Sequence, residues 1–213
     1  MQTLGGTSIA AMNRMGYDAV TLGGLDIAML DVADLQGRIA EADFAVLSAN
    51  ATVSATGELL AEPYVVREIA DHRVAILGLT DPYPDDEIAV SDPLEAASEW
   101  VPKLRQMADI VILLSHAGLD VDEKIAAAVP GIDVIISGRN AQTSSAIVVE
   151  STGTVLFHAD TAVSGTAGTR VGVAQLTFDA SGKLMSHEWT NIPLDSDIAE
   201  SSDMSAWVES VIQ

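Results

Sequence analysis

Apolar and polar positions in the first half of the chain follow the pattern of helices that alternate with strands. Apolar residues recur at helical spacing in four segments, and short continuous apolar runs lie between them. Such alternation is typical of βα units with a largely parallel sheet. The predicted helices are 8–15 (capped by Thr7 or Ser8), 28–42, 94–107 (capped by Asp92) and 121–129 (capped by Asp120). The predicted strands are 17–22, 44–49, 64–69 and 73–79 as a hairpin, 109–114 and 132–136.

The pattern changes in the second half to strands without long helices. Runs at 146–150, 154–159, 171–178 and 184–192 predict strands with antiparallel pairing, and the short turn 179–182 predicts that the last two form a hairpin. A last helix is predicted over 204–212. With no internal repeat and no linker-like tract, both halves are expected to share one core, which makes 1–213 a single domain.

Composition indicates a folded and strongly acidic protein. The 213 residues are 48% hydrophobic, and 10 basic against 31 acidic side chains give a net charge of −21. A mean hydropathy of +0.29 is too apolar for a disordered chain. The charge disfavours nucleic acid and anionic lipid as partners, and it also repels phosphate-bearing substrates unless metal ions or a basic pocket reverse the local sign.

Three further absences limit the chemistry that the sequence supports. There is no Cys, which excludes a disulfide framework, a thiolate zinc site and a Cys nucleophile. No apolar run approaches bilayer length, and the first residues lack the pattern of a signal peptide, so we expect no membrane insertion and no leader within this sequence. The compartment in which the protein works is left open.

His116 is the strongest single candidate for chemistry. It follows the apolar run 109–115 and precedes Ala117-Gly118, which predicts a position at the carboxyl edge of a parallel sheet, where α/β proteins keep their sites. The other histidines, His72, His158 and His187, are interpreted as surface or hydrogen-bonded side chains.

Two other features have a simple structural interpretation. The acidic run 81–87 offers oxygen ligands for Ca²⁺ but has no defined ligand spacing, and a solvated acidic loop is favoured. Gly23-Gly24 follows a predicted strand, yet no phosphate-binding glycine motif is complete there.

Several segments in order resemble the bacterial 5′-nucleotidase-type metallophosphoesterases of the calcineurin-like superfamily. The segment 12–23 is similar to the stretch that leads into the Gly-Asn-His-Glu metal motif, and 109–119 is similar to the Ser-His motif. The run 129–136 leads to the place of the Gly-His-Ser-His motif. The remaining similar segments are 46–50, 74–80, 176–179 and 192–195.

The resemblance implies a four-layer α/β/β/α sandwich with two metal ions held by Asp, His and Asn side chains. Two such ions bind a phosphate oxygen and generate a hydroxide nucleophile. In this sequence the upstream Asp-x-His and Gly-Asp motifs, and with them the first strands, are not found. We likewise expect no C-terminal nucleotidase domain.

The motifs that are present depart from the family pattern. Asn-His-Glu falls on Gly24, Leu25 and Asp26, and Gly-His-Ser-His falls on Gly138, Arg139, Asn140 and Ala141. His116 alone keeps a ligand type at a motif position. His116, Asp26 and Asn140 are therefore weak metal candidates, and Arg139 is predicted to repel a metal ion, to pair with Asp26 or to bind an anion together with Asn140.

Three functions follow from this comparison. The first is a non-catalytic domain for binding or assembly, without a cofactor, whose exposed sheet edge is covered by a protein partner or a second copy. The second is a phosphoesterase that uses Mn, Zn or Fe and whose ligands are completed by another chain. The third is a metal-free anion pocket. Relatives of this type are commonly exported to the periplasm or outside the cell.

Overall fold

Six helices and twelve strands make up the described part of the chain, which in the computed structural model is residues 4–139, 145–159 and 168–211. None of these helices is long and apolar enough to cross a membrane. The helices are α1 (Gly6–Met15), α2 (Gly24–Met29), α3 (Val32–Ala40), α4 (Pro93–Leu104), α5 (Leu119–Ala128) and α6 (Ser202–Val211). The strands are β1 (Ala19–Thr21), β2 (Ala45–Leu47), β3 (Ala51–Val53), β4 (Tyr64–Ile69), β5 (His72–Leu79), β6 (Ile88–Val90), β7 (Ile110–Ser115), β8 (Val134–Ser137), β9 (Ile147–Val149), β10 (Thr154–Phe157), β11 (Arg170–Phe178) and β12 (Leu184–Pro193).

Six strands form a central mixed sheet in the order β4–β5–β7–β8–β10–β9. The four inner strands are parallel, and β4 and β9 pair antiparallel at the edges. Strands β7 and β8 are almost continuous Ile, Val and Leu because both faces of the sheet are covered there. The predicted α/β class is confirmed, with a sheet that is parallel in its centre.

Helices cover one face of this sheet and a hairpin covers part of the other. Leu113 of β7 and Ile135 of β8 pack with Val101 of α4 in the larger core, and all three are fully buried. On the opposite face Trp189 of β12 stacks on Phe157 of β10, with ring centroids 5.0 Å apart. The layers therefore run helix, sheet, sheet, which are three of the four layers of the predicted α/β/β/α sandwich.

A smaller layer of α1 to α3 around the parallel pair β1–β2 joins the central sheet at the end of β5. Gly78 allows this close approach, because a Cβ atom there would overlap Leu47 of β2. The Ala49 N–H donates to the Gly78 carbonyl at 2.8 Å, and the Thr21 hydroxyl donates to the Leu79 carbonyl at 3.2 Å. These contacts bring the residues after β1 next to those after β5.

The helix predicted over 28–42 is wrong as a single unit because Asp31 divides it. Helix α2 ends at Met29, and Leu30 is extended with φ −130°. The Asp31 carboxylate then accepts the Asp34 N–H at 2.8 Å and begins α3 as its N-cap. A local side-chain to backbone hydrogen bond thus overrides a helical period that continues across it.

Two of the predicted caps are also wrong. Helix α1 begins after Gly5 rather than at Thr7 or Ser8, and α5 begins after Gly118 rather than at Asp120. Both glycines have positive φ, 83° and 99°, which glycine adopts without a Cβ clash. Asp120 lies in the first turn of α5, where its charge is favourable to the helix dipole.

The antiparallel pairing predicted for the second half is confirmed for β9–β10 and β11–β12. Strand β10 joins the central sheet parallel to β8, with Val155 opposite Val134. The hairpin predicted from the last two runs is confirmed as β11–β12, and the Asp179 carboxylate orders its turn by accepting the N–H groups of Ser181 and Lys183. Strands β3 and β6 have no predicted counterpart, because three residues are too few to show a period of two.

A buried carboxyl group joins α5 to the end of β8. Asp122 has no exposed surface, and the Ser137 hydroxyl donates to its Oδ2 at 2.5 Å. Burial raises the pKa of Asp122 to about 6, against the lowering effect of hydrogen bonds from Ser115 and Ser137 and of the charge on His116. The native state therefore holds this proton more tightly than the unfolded chain does.

We expect the free energy of unfolding of the wild-type protein to fall, relative to that of Asp122→Asn, as the pH rises from about 4 to about 6. Over this range the native protein keeps the Asp122 proton while the unfolded chain has lost it, so stability decreases with pH. The fall totals roughly 2 to 3 kcal/mol, since one pKa unit corresponds to about 1.4 kcal/mol. Urea unfolding at several pH values measures it, and parallel profiles for the two proteins would contradict the raised pKa.

Replacement of Leu113 by Ala is expected to lower the free energy of unfolding by about 2 to 5 kcal/mol, because the deleted methyl groups leave a cavity in the larger core. Leu194→Ala is the matched control. Its side chain is 45% exposed, so the same change should cost about 1 kcal/mol or less. Similar losses for the two variants in urea unfolding would show that Leu113 is not a core residue.

Candidate functional site

Four loops meet at the edge where the strands of the two layers end. The carboxyl ends of parallel strands face the same edge of a sheet, which is where α/β proteins hold ligands. The prediction that His116 lies at this edge is confirmed. The loops carry Gly23-Gly24 after β1, Thr80-Asp81 after β5, His116 after β7 and Gly138-Arg139 after β8.

Asp81 lies at the centre of this arrangement. Its side chain is only 6% exposed, and its two oxygens contact three neighbouring groups. The Gly24 N–H donates to Oδ1 at 2.7 Å, and His116 Nδ1 lies 2.6 Å from the same oxygen. Arg139 Nη1 lies 3.0 Å from Oδ2. A carboxylate so far withdrawn from water requires partners of this kind, because an unpaired buried charge is costly.

Asn50 and Ser48 fix the backbone that carries Asp81. Asn50 Oδ1 accepts the Thr80 N–H, and its Nδ2 donates to the Thr80 carbonyl, both at 2.9 Å. The hydroxyls of Ser48 and Thr80 lie 2.7 Å apart. Because Ser48, Asn50 and Thr80 are buried, these bonds hold the end of β5 firmly before the chain reaches Asp81.

Glycines make room for the ring of His116. A Cβ atom at Gly23 would lie 3.0 Å from the imidazole, and one at Gly138 would lie 3.3 Å from Cδ2. Because a carboxylate oxygen accepts, the 2.6 Å contact between His116 Nδ1 and Asp81 Oδ1 is a hydrogen bond in which Nδ1–H donates. Asp81 therefore fixes the orientation of the ring. Solvent still reaches the ring, because the side chain is 33% exposed.

Arg139 completes the site from the loop after β8. Its backbone is left-handed with φ 58°, and its side chain is 42% exposed. The guanidinium pairs with Asp81 and not with Asp26, the partner suggested by the sequence. Asp26 instead accepts the Gly23 N–H at 2.8 Å in the first turn of α2.

The other candidate residues are distributed over other elements. Asn140, predicted to bind an anion with Arg139, lies outside the described residues. His158 follows β10 and is 3% exposed, whereas His72 and His187 lie on β5 and β12. The described contacts of Asp81 include none of these three histidines.

The acidic run 81–87 divides into two environments. Asp85 is exposed, and its carboxylate accepts the N–H groups of Glu87 and Ile88 in a local turn. The interpretation as a solvated acidic loop therefore holds for Asp85 and is wrong for Asp81. The sequence signal that identifies Asp81 as a candidate site residue is its position two residues after a buried apolar run.

The residues at this edge do not fit the pair of metal ions that the resemblance implies. Within residues 4–139, 145–159 and 168–211, no three His, Asp or Glu side chains are grouped so that they could hold a metal ion. Motif positions carry Gly24, Leu25 and Arg139, which offer no ligand side chain. Chemically, the arrangement is a buried carboxylate neutralised by a guanidinium and bonded to one imidazole.

Curated proteins with similar sequences are nucleotidases and metallophosphoesterases, although no family model matches the chain. The chain is 32% identical to 5′-nucleotidase of Bos taurus over 149 residues, which are 63% of this chain and 26% of that protein. It is 31% identical to the uncharacterized metallophosphoesterase YunD of Bacillus subtilis over 143 residues, 64% of this chain and 31% of YunD. The chain thus spans about a third or less of these relatives.

Solved structures share the fold over nearly the whole chain. The 5′-nucleotidase precursor from Thermus thermophilus superposes with a TM-score of 0.82 at 26% identity, over 99% of this chain and 46% of that one. The calcineurin-like phosphoesterase YfkN from Bacillus subtilis gives 0.73 at 22% identity, over 96% of this chain and 75% of that one. In sequence the chain is thus similar to 5′-nucleotidases and metallophosphoesterases, and its fold is that of the solved 5′-nucleotidase precursor.

Proposed function

We propose that this chain is a non-catalytic 5′-nucleotidase-like domain that serves in binding or assembly. One observation supports this above others. The guanidinium of Arg139 contacts the buried Asp81 carboxylate at 3.0 Å, in the loop where the family resemblance implies a metal-binding imidazole. A fixed positive charge thus stands beside the surviving histidine.

Electrostatics explain why this arrangement opposes a metal centre. Two unit charges 4 Å apart interact by about 4 kcal/mol near a protein surface, and a divalent ion doubles that repulsion from Arg139. Asp81 can ligate only by giving up its ion pair, and Gly24 supplies a backbone N–H instead of an oxygen. A dinuclear site needs several more donors than His116 and Asp81 offer.

A metal-dependent phosphoesterase completed by another chain is the second candidate. It is favoured by His116, which keeps a ligand type and is oriented by Asp81 as metal-binding histidines are oriented by carboxylates. In such an enzyme the metal ions would have to bind close to the positive charge of Arg139, which repels them. The anion pocket is less favoured, because the ion pair with Asp81 neutralises the charge that would attract an anion.

The purified wild-type protein is expected to contain much less than one equivalent of Mn, Zn or Fe and to hydrolyse no phosphate monoester when these ions are supplied. Elemental analysis and phosphate release measure the two quantities. His116→Ala identifies the source of any trace activity, since it removes the retained ligand without touching the core. Two bound metal equivalents, or turnover that His116→Ala abolishes, would overturn the non-catalytic assignment.

The assembly role is supported by apolar side chains that no described residue covers. Leu25 and Met29 lie one turn apart on α2 and are 70% and 72% exposed. Leu25 directly follows the loop Gly23-Gly24 of the candidate site. Contiguous exposed apolar surface of this kind marks interaction sites more often than scattered single residues do.

Self-association through α2 predicts a sedimenting mass above that of the 22.2 kDa monomer at micromolar concentration. The double variant Leu25→Asp/Met29→Asp should sediment closer to the monomer, because charges would replace the buried apolar contact. Met185→Asp is the matched control, since Met185 is 61% exposed but lies on β12. A wild-type protein that sediments as a compact monomer would contradict this role.

A further inference from the structure

We infer that a cavity between α1, α2, α3 and the β1–β2 pair binds a small apolar molecule that carries one amine group. The cavity has a volume of about 350 Å³, which is within the range of small-molecule sites. Asp81, His116 and Arg139 are not among the described residues that line it, so its occupation goes beyond the proposed function and does not depend on it.

Most of the cavity lining is apolar and belongs to the smaller hydrophobic core. Leu22, Leu35 and Val46 in this lining are between 3% and 6% exposed. The other apolar lining residues are only half-buried, and they are Ile9, Met12, Val20, Leu30 and Ile39. A ligand that removes their remaining surface from water gains free energy in proportion to the apolar area that it covers.

Helix α1 forms one wall of the cavity and is held by polar contacts near its two ends. None of its residues is fully buried. Towards its end, Asn13 donates to the Glu41 carbonyl at 2.9 Å and accepts the Asp43 N–H at 2.8 Å. At its beginning, Gly6 lies so close to Arg38 that a Cβ atom there would overlap the guanidinium. These contacts keep α1 in place without filling the cavity, and a ligand supplies the missing packing.

A carboxylate in the lining determines the charge of the ligand. Asp26 is exposed, and among the described residues its carboxylate is bonded only through Oδ2, which accepts the Gly23 N–H at 2.8 Å. Arg38 also lines the cavity, but its guanidinium is already paired with Glu41 at 2.8 Å. The net charge of −21 repels anionic ligands and attracts cationic ones. An amine on an apolar body therefore matches both Asp26 Oδ1 and the apolar walls.

The test measures, by titration calorimetry, the binding of three probes that share a phenyl body: 2-phenylethylamine, 2-phenylethanol and 3-phenylpropanoate. The wild type should bind the amine about ten-fold more tightly than the alcohol, because a hydrogen bond between charged groups is stronger than one between neutral groups. It should not bind the carboxylate measurably. In Asp26→Asn, which keeps an acceptor for the Gly23 N–H, the amine should bind no more tightly than the alcohol.

Ile9→Trp fills the cavity from α1 and should abolish binding of the amine and the alcohol. Ile198→Trp is the matched control and should bind like the wild type, because Ile198 is 46% exposed and does not line the cavity. If Ile9→Trp does not fold, Val20→Phe fills the same space from β1 and replaces it. Amine binding that is unchanged in Asp26→Asn or in a folded cavity-filled variant would indicate general attraction to the acidic surface and would overturn the inference. A wild type that binds no amine, or binds the alcohol equally well, would also overturn it.

Discussion

A carboxylate that is almost completely withdrawn from water constrains everything around it, and Asp81 is such a group. Its oxygens are held by a backbone N–H, an imidazole and a guanidinium, which come from the ends of three other strands. The glycine at position 24 and the ring orientation of His116 both follow from its position. The site is therefore organised around a negative charge that the protein neutralises internally.

The fold supplies the rigidity that such a charge requires. Buried hydrogen bonds between Asn50 and Thr80 fix the chain just before Asp81, and Gly78 lets the β1–β2 layer approach the central sheet. The same framework is shared with 5′-nucleotidases over nearly the whole chain. The chain thus combines a scaffold like that of 5′-nucleotidases with side chains at the strand ends that depart from the metal-binding motifs implied by the resemblance, and function depends on those side chains and not on the fold.

The sequence predicted the strands of the central sheet and the position of His116 because long Ile and Val runs are unambiguous. It did not predict the partner of Arg139. Asp26 and Asp81 are both acidic and both follow apolar runs, and the sequence does not show that Asp26 accepts the Gly23 N–H while Asp81 reaches the guanidinium. Helix boundaries failed at Asp31 and Gly118 for a local reason, since one cap or one positive φ outweighs several periodic residues.

What occupies the space beside Asp81 Oδ2 decides whether this site can hold a metal ion. Diffraction from crystals grown with excess Mn²⁺ or Zn²⁺, recorded at the absorption edge of the metal, tests this directly. We predict the Arg139 guanidinium at hydrogen-bond distance from Oδ2, with no anomalous peak within reach of His116. Anomalous peaks bound to His116 and Asp81, with Arg139 turned into solvent, would contradict the account.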